Sequence, residues 1–442
     1  MKRTILHLTW LVSLALAQDT TESVRTLSGS DRRLTSSDGG PTVPSDFDDS
    51  TIASISTLPP NGTISASTIS SPDTTTTSEA LTSILGSTRT STANDTASAT
   101  MTTAPRPSNT QPCNNYREFC TRKYSNITEV CAHNSPFVRK NNAASNQQFG
   151  VTQQLNDGIR VLQGQAHLVN GTLYYCHTSC DLLSVGTVED YLREVVAWLD
   201  AHPFEVITII FGNYGWQEKD SAGNALVTAT NFVDPVKNSG LLPYIYQPPK
   251  IAMEIGDWPT LGELILSQKR VITFIDYNFN ANAVPWLLWE FYNVWETPFS
   301  PTDFNFPCTI GRPDGLGEEK AREIMYMANH NLNAEIAIGG LSLLVPNTVF
   351  LNRTNGVEGT GSLGNMTVQC TEQWDRPPNF LLVDYYNIGL PTNGSVFEVA
   401  ARANGVTYNR KCCGTESVAT TVKNARMAYL APVIAVLVSV VV

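Results

Sequence analysis

The chain has 442 residues, a formal net charge of −11 and a pI near 5.1. That acidic balance argues against a nucleic-acid binder, which would carry a basic patch or stripe. Charged residues make up 16% of the chain, below the roughly 25% of ordinary soluble domains, and Ser and Thr near the N-terminus fill the gap.

Residues 1–17 read as a secretory signal peptide. Lys2 and Arg3 form a basic start, Ile5–Leu16 is largely apolar, and Ala15-Leu16-Ala17 offers a small-x-small cleavage site. The alternative, an N-terminal anchor, suffers from the shortness of the apolar run. Residues 18–112 are dominated by Ser and Thr, with TTTTS at 74–78, scattered Pro and a single aromatic, Phe47. Such a segment cannot bury enough apolar surface to offset its chain entropy. It reads as a disordered, O-glycosylated stalk that spaces a folded head from its surroundings. N-x-S/T sequons at Asn61, Asn94, Asn126, Asn170, Asn352, Asn365 and Asn393 mark surface positions of a secreted chain.

The nine cysteines all follow residue 112, and a secretory route implies disulfides. Cys113 and Cys120 flank a short loop, as do Cys176 and Cys180. Cys308 and Cys370 could join distant loops, and Cys412 and Cys413 are adjacent. Cys131 is left over, inside an apolar run, and reads as a buried inert thiol.

Residues 113–414 alternate short apolar strands with amphipathic helices. Ile127–Ala132, Ile159–Leu162, Leu173–Cys176, Val206–Phe211, Val271–Ile275 and Phe380–Val383 are predicted strands, several with the β-branched runs that buried parallel sheets demand. A helix is predicted over Val188–His202, with Thr187 and Asp190 approximating a capping box, one apolar face, and Pro203 as its stop. Further helices are expected over Leu316–Asn331 and near Val396–Ala403. This alternation fits a closed β/α barrel best, with an open doubly wound sheet as the runner-up. The GTGSLG string at 359–364 leads into the strand-like NMTVQC and therefore lacks the context of a phosphate-binding loop.

Residues 415–442 hold a polar spacer, VATTVKNAR, and an apolar tail ending at Val442. Small residues lie just before the spacer. The pattern is that of a GPI-attachment signal, with Ser417 favoured as the attachment residue and Gly414 next. The alternative is a short C-terminal membrane helix, although spanning needs roughly 20 apolar residues. The protein is thus expected to be secreted and held at the cell surface.

Five histidines remain once the signal is removed. His202 ends a helix and suits a C-terminal cap. His330 is placed at a polar helix end, and His167 in a loop past a strand. His133 and His177 each fall at the C-terminal end of a predicted strand, and Asp384 ends NFLLVD in the same way. In β/α barrels that rim is where reactive side chains gather. Two imidazoles and a carboxylate there suit general acid–base chemistry, one ring taking a proton and the other giving one. No Ser nucleophile elbow and no metal-ligand spacing accompany them.

The marks AHNSPF (132–137), DGIRVLQGQAH (157–167), LYYCHTSC (173–180), TVEDYLREVVAWLDAHP, EVITIIFGN, WETPFS (295–300), NFLLVDYYNIG (379–389) and RKCCG (410–414) occur in an order that resembles the phosphatidylinositol-specific phospholipase C X-domain superfamily, in particular its secreted fungal PLC-like phosphodiesterase branch. The resemblance implies a distorted (β/α)8 barrel of the TIM type that cleaves a phosphodiester in a phospholipid or glycolipid headgroup. It implies His133 as general base, His177 as general acid and Asp384 as the group orienting His133.

The chain departs from the family pattern in places. Asn134 stands where metal-independent bacterial members carry Asp, and Gln165 where they carry Arg. Calcium-dependent eukaryotic members keep the Asn, but their three calcium carboxylates fall on Gln163, Gln165 and Phe211, which argues against bound calcium. No cofactor is expected. Arg160 shares a strand face with Leu162 and is not assigned to the site. Asn134, Gln163, Gln165, Asp276 and Tyr386 are the expected substrate contacts. Trp286, Trp289, Tyr292, Trp295 and Tyr385 are aromatic candidates for the mouth, with core packing as the alternative. The neutral residues at 134, 163 and 165 also leave open a non-catalytic cell-surface binding protein that keeps the barrel. A structural wall protein would leave the histidines without a task.

Overall fold

The computed structural model of the chain describes residues 111–338 and 341–414. The expected signal peptide, stalk and C-terminal signal, with Ser417, lie outside the described residues. Among these, no helix is long and apolar enough to cross a membrane.

The described residues form twelve strands: β1 (Glu129–Ala132), β2 (Val161–Val169), β3 (Thr172–Cys176), β4 (Ser184–Thr187), β5 (Ile207–Asn213), β6 (Val271–Ile275), β7 (Leu288–Trp289), β8 (Val294–Glu296), β9 (Met325–Asn329), β10 (Asn333–Ile338), β11 (Leu341–Pro346) and β12 (Phe380–Val383). Eight of them run parallel in the order β7-β6-β5-β2-β1-β12-β9-β8. The sheet curls so that the last strand, β12, returns to the first, β1. It stays open between β7 and β8, which a one-turn helix, Glu290–Asn293, connects. The architecture is the expected distorted β/α barrel, and its distortion is this seam. Part of the free edge of β8 is taken by an antiparallel bridge between Glu296 and Arg312.

The sequence explains these elements. β5 is buried at every residue, as a strand with barrel interior on one face and helices on the other must be. The helix Val188–Ala201 starts where Thr187 Oγ1 accepts the Asp190 backbone N–H at 3.1 Å. It buries Val188, Leu192, Val195, Trp198 and Leu199 along one face. The disulfides join Cys113 to Cys120, Cys176 to Cys180, Cys308 to Cys370 and Cys412 to Cys413, leaving Cys131 buried and free. Asn126, Asn170, Asn352 and Asn393 are exposed, as glycan acceptors need to be.

Three expectations need correction. The predicted helix over Leu316–Asn331 is a helix only at Glu318–Glu323 and then becomes β9, all five residues of which are buried. The charged block EEKARE and the apolar MYMAN that follows are two elements, because an all-buried run suits an inner strand better than an amphipathic helix. NMTVQC is not strand-like but part of the helix Leu363–Trp374, whose Leu363, Met366, Cys370 and Trp374 are buried at helical spacing. Its first turn offers no anion site, since Ser362 Oγ accepts the Asn365 N–H and the Gly356 carbonyl accepts the Gly364 N–H. His167 lies within β2 and not past it, because β2 extends to Val169 and pairs antiparallel with β3.

Gly164 in β2 shows how the scaffold holds the rim. A Cβ there would lie 2.8 Å from Pro136 ring atoms and 2.9 Å from Tyr175. The absence of a side chain lets the loop after β1 press on β2, where the Ser135 N–H donates to the Gln163 carbonyl at 2.7 Å. Gly164→Ala is expected to destabilise the protein by about 1–3 kcal/mol through overpacking. A thermal melt unchanged from the parent protein would show that this approach is not tight.

Candidate active site

β1 and β12 are neighbours in register, Ala132 beside Val383, so the residues that follow them, His133 and Asp384, emerge side by side on the C-terminal rim. His133 Nδ1 lies 2.8 Å from Asp384 Oδ1, and the aspartate side chain is only 2% exposed. A carboxylate that close requires the proton on Nδ1, which leaves the Nε2 lone pair as the basic atom. Asn134 takes a left-handed backbone, with φ of 47°, a conformation that Asn tolerates better than most residues. Its Nδ2 sits 3.1 Å from His133 Nε2, and its backbone N–H donates to Gln163 Oε1 at 2.8 Å.

Amides complete the surroundings of His133. Asn146 Nδ2 donates to Asp384 Oδ1 at 2.8 Å and lies 3.2 Å from His133 Nδ1. Asn331 Nδ2 lies 3.4 Å from the same nitrogen. Gln147 Nε2 donates to the carbonyls of His133 and Val383, joining the ends of β1 and β12. Asn134 Oδ1, Asn146 Oδ1, Asn331 Oδ1 and Asp384 Oδ2 are buried and receive no hydrogen bond from the protein.

His177 follows β3 in the turn closed by Cys176–Cys180. Its ring meets Phe137 edge-on at 5.1 Å, and Thr178 Oγ1 lies 3.2 Å from its Nδ1. Burial lowers its pKa to about 4; the nearby His133 and His167 push the same way and Asp384 opposes them. The unfolded ring titrates near 6.5, so His177 withdraws stability as pH falls from there to about 4. An NMR titration is expected to find it neutral at pH 6, with its midpoint rising when inorganic phosphate binds, because a neighbouring anion favours the imidazolium. A midpoint near 6.5 in the free protein would contradict the buried placement.

The other expected residues divide. Gln163 braces Asn134, as described. Gln165 is half-buried and lies over Gly212 of β5, where a Cβ would sit 3.4 Å from its Cγ. Asp276, at the end of β6, is partly exposed. Its Oδ1 accepts the backbone N–H of Asn213 and of Tyr277 at 2.7 and 2.8 Å, and burial raises its pKa to about 6. Tyr386 does not reach a substrate. It is fully buried and donates to Asp157 Oδ2 at 2.6 Å, because the residue two past Asp384 turns back into the core. Trp295 is also core, stacked on Tyr326. Trp289 and Tyr292 pack with Phe279, next to a stacked Trp216–Tyr277 pair. Tyr385 holds the rim together through its hydroxyl on the Ser145 carbonyl. Arg160 pairs with Glu205, away from the histidines, as its alternation implied.

The calcium test is one of donor chemistry. Of the three positions at issue, Gln163 spends its oxygen on Asn134, Gln165 is neutral, and Phe211 is fully buried against Phe232. This set does not fit a divalent calcium ion, which takes several oxygens with carboxylates among them.

Sequence reasoning missed one further group at the seam. Glu296, Asn329 and Arg312 form a buried cluster in which Arg312 Nε and Asn329 Nδ2 donate to Glu296 Oε2 at 2.9 and 3.1 Å. Glu290 lies beside them, with Oε1 unpartnered. Burial first, and then the Glu296 charge, hold its carboxyl well above the ordinary range. Burial alone would lower the Arg312 pKa; Glu296, Tyr277 and Glu290 outweigh it and hold the guanidinium charged. The available signal was two carboxylates inside the apolar stretch LLWEFYNVWE, which cannot be buried without partners.

The chain is similar to several known proteins. The sequence model of the PI-PLC X family matches residues 119–396. A secreted protein of Arthroderma benhamiae is 56% identical over 369 residues, covering 80% of this chain and 81% of its own length. The PI-PLC X domain-containing protein 1 of the same organism is 40% identical over 299 residues, covering 66% of this chain and 90% of its own. Among solved structures, the phosphatidylinositol-specific phospholipase C from Listeria monocytogenes superposes with a TM-score of 0.43 at 10% identity, covering 66% of this chain and 96% of that one.

Proposed function

The chain belongs to the PI-PLC X domain family, and from that premise we propose that it is an extracellular phosphodiesterase that cleaves an inositol phospholipid or a related glycolipid by acid–base chemistry without calcium. The observation that carries this reading is the His133–Asp384 pair at 2.8 Å. His133 Nε2 takes the proton of a substrate hydroxyl, whose oxygen then attacks phosphorus and forms a cyclic phosphodiester. His177, protonated while the anionic phosphate is bound, gives its proton to the departing alkoxide. Opening of the cyclic product by water runs the two roles in reverse. In this reading the neutral amides of Asn134 and Gln165 stand in for the charged donor, and each supplies less than an Arg would.

The test is release of a cyclic or open inositol phosphate from phosphatidylinositol vesicles by the purified protein, with His133→Ala alongside. Equal release by both proteins would remove the mechanism. A second reading, a surface protein that binds the headgroup without turnover, draws on the neutral Asn134, Gln163 and Gln165. Headgroup binding that survives loss of both histidines, with no product, would favour it.

The stalk and tail support a secreted protein held by a GPI anchor. Gly414 donates its N–H to Asp157 at the end of the folded part, and Ser417, beyond it, is the favoured attachment residue. Mass analysis of the mature C-terminal peptide is expected to end at Ser417; a mature chain ending at Val442 would overturn the anchor.

A further inference from the structure

We propose that Asn146 is the positioning residue of the His133–Asp384 pair, fixing the imidazole tautomer that the base needs. The proposal rests on the acid–base reading above. Asn146 is 1% exposed. Its backbone is fastened at two points: its N–H donates to the Phe137 carbonyl at 3.0 Å, and its carbonyl accepts the Tyr385 N–H at 2.8 Å. The segments on either side are fastened too. The Tyr385 hydroxyl donates to the Ser145 carbonyl, Gln147 bridges β1 and β12, and Asn387 Nδ2 donates to Gln148 Oε1 at 2.7 Å. Residues 145–148 therefore form a rigid strap across the two strand ends that carry the pair.

The Asn146 side chain works from this strap. Its Nδ2 donates to Asp384 Oδ1, the same oxygen that faces His133 Nδ1. Two donors on one oxygen fix the Asp384 rotamer. An immobile carboxylate holds the proton on Nδ1, and Nε2 stays the basic atom. Without Asn146, Asp384 would be a nearly buried carboxylate with one donor. It could turn its unpartnered Oδ2 toward the ring, and the two imidazole tautomers would mix.

Asn146→Ala removes the donor. Asn146→Asp keeps the shape and sets a second carboxylate against Asp384, so that the two share a proton. Each variant is expected to lower kcat about tenfold to a hundredfold, the range that such outer hydrogen-bond partners carry, with KM little changed. The acidic limb of the pH profile should move in Asn146→Asp. In proton NMR of the free protein, the downfield His133 Nδ1–H resonance should weaken or vanish in both variants. That resonance needs no substrate. If it is lost while even the parent protein shows no turnover, positioning stands and the enzymatic reading falls. If the resonance, kcat and pH profile all persist in a folded Asn146→Asp protein, the proposal is overturned. Unfolding of Asn146→Ala would mark a structural role only if Asn146→Asp left all three readouts unmoved.

Discussion

His133→Ala is expected to lower kcat for phosphodiester cleavage on the order of a thousandfold, within the 10²–10⁴ range that a positioned base supplies. KM should hold near its parent value, because the ring acts on a proton that moves only in the transition state. The variant should still fold. His133 is at the rim and 15% exposed, and Asp384 keeps the Asn146 donor. The carboxylate loses its imidazole partner, so a thermal melt should fall by a few degrees at most. Asp384→Asn should move in the same direction, since a neutral amide at that place no longer holds the proton on Nδ1. Steady-state kinetics on phosphatidylinositol vesicles, with folding checked by circular dichroism, decide the matter. Turnover within twofold of the parent protein would sink the acid–base mechanism and leave a binding barrel.

Arg312→Met should cost about 3–5 kcal/mol of stability, more than Gly164→Ala, because it strips the counter-charge from a buried carboxylate and leaves its partner uncompensated. Arg312 donates to Glu296 and to the Tyr277 hydroxyl, and its guanidinium lies 4.5 Å from the Phe299 ring centroid and 5.4 Å from that of Phe291. Denaturant unfolding of both proteins measures this. A deficit within the scatter of ordinary surface substitutions, about 0.5 kcal/mol, would show that Glu296 does not depend on Arg312. Replacing Arg312 and Glu296 together by apolar residues should recover part of the loss.

Much of this molecule is legible in its amino-acid order, and for identifiable reasons. Strands such as Val271–Ile275 and Phe380–Val383 are short apolar runs with no competing pattern, and both appear with the predicted bounds. The cysteine pairs are legible from spacing, because two bridges close loops too short for alternatives. His133, His177 and Asp384 are marked by their place at strand ends. What could not be read depends on distant segments meeting. Asn146 lies in a loop with no periodicity, and only the adjacency of β1 and β12 brings it to Asp384. Tyr386 sits in a recognisable motif, yet its direction is set by Asp157, far away in sequence. The helix at Leu363–Trp374 reads locally as a strand because Thr367 and Val368 are β-branched, and burial of its face outweighs that preference.

The gap between β7 and β8 has a consequence for the protein's solubility. An incomplete barrel leaves backbone donors and acceptors along its border, ready to accept a strand from another copy. Here the border of β8 meets the chain's own Gly311–Arg312 segment, which lies so close that a Cβ on Gly311 would be 2.5 Å from the Pro298 nitrogen. A bulkier residue at 311 would lift this natural cover, and self-association by strand exchange would follow.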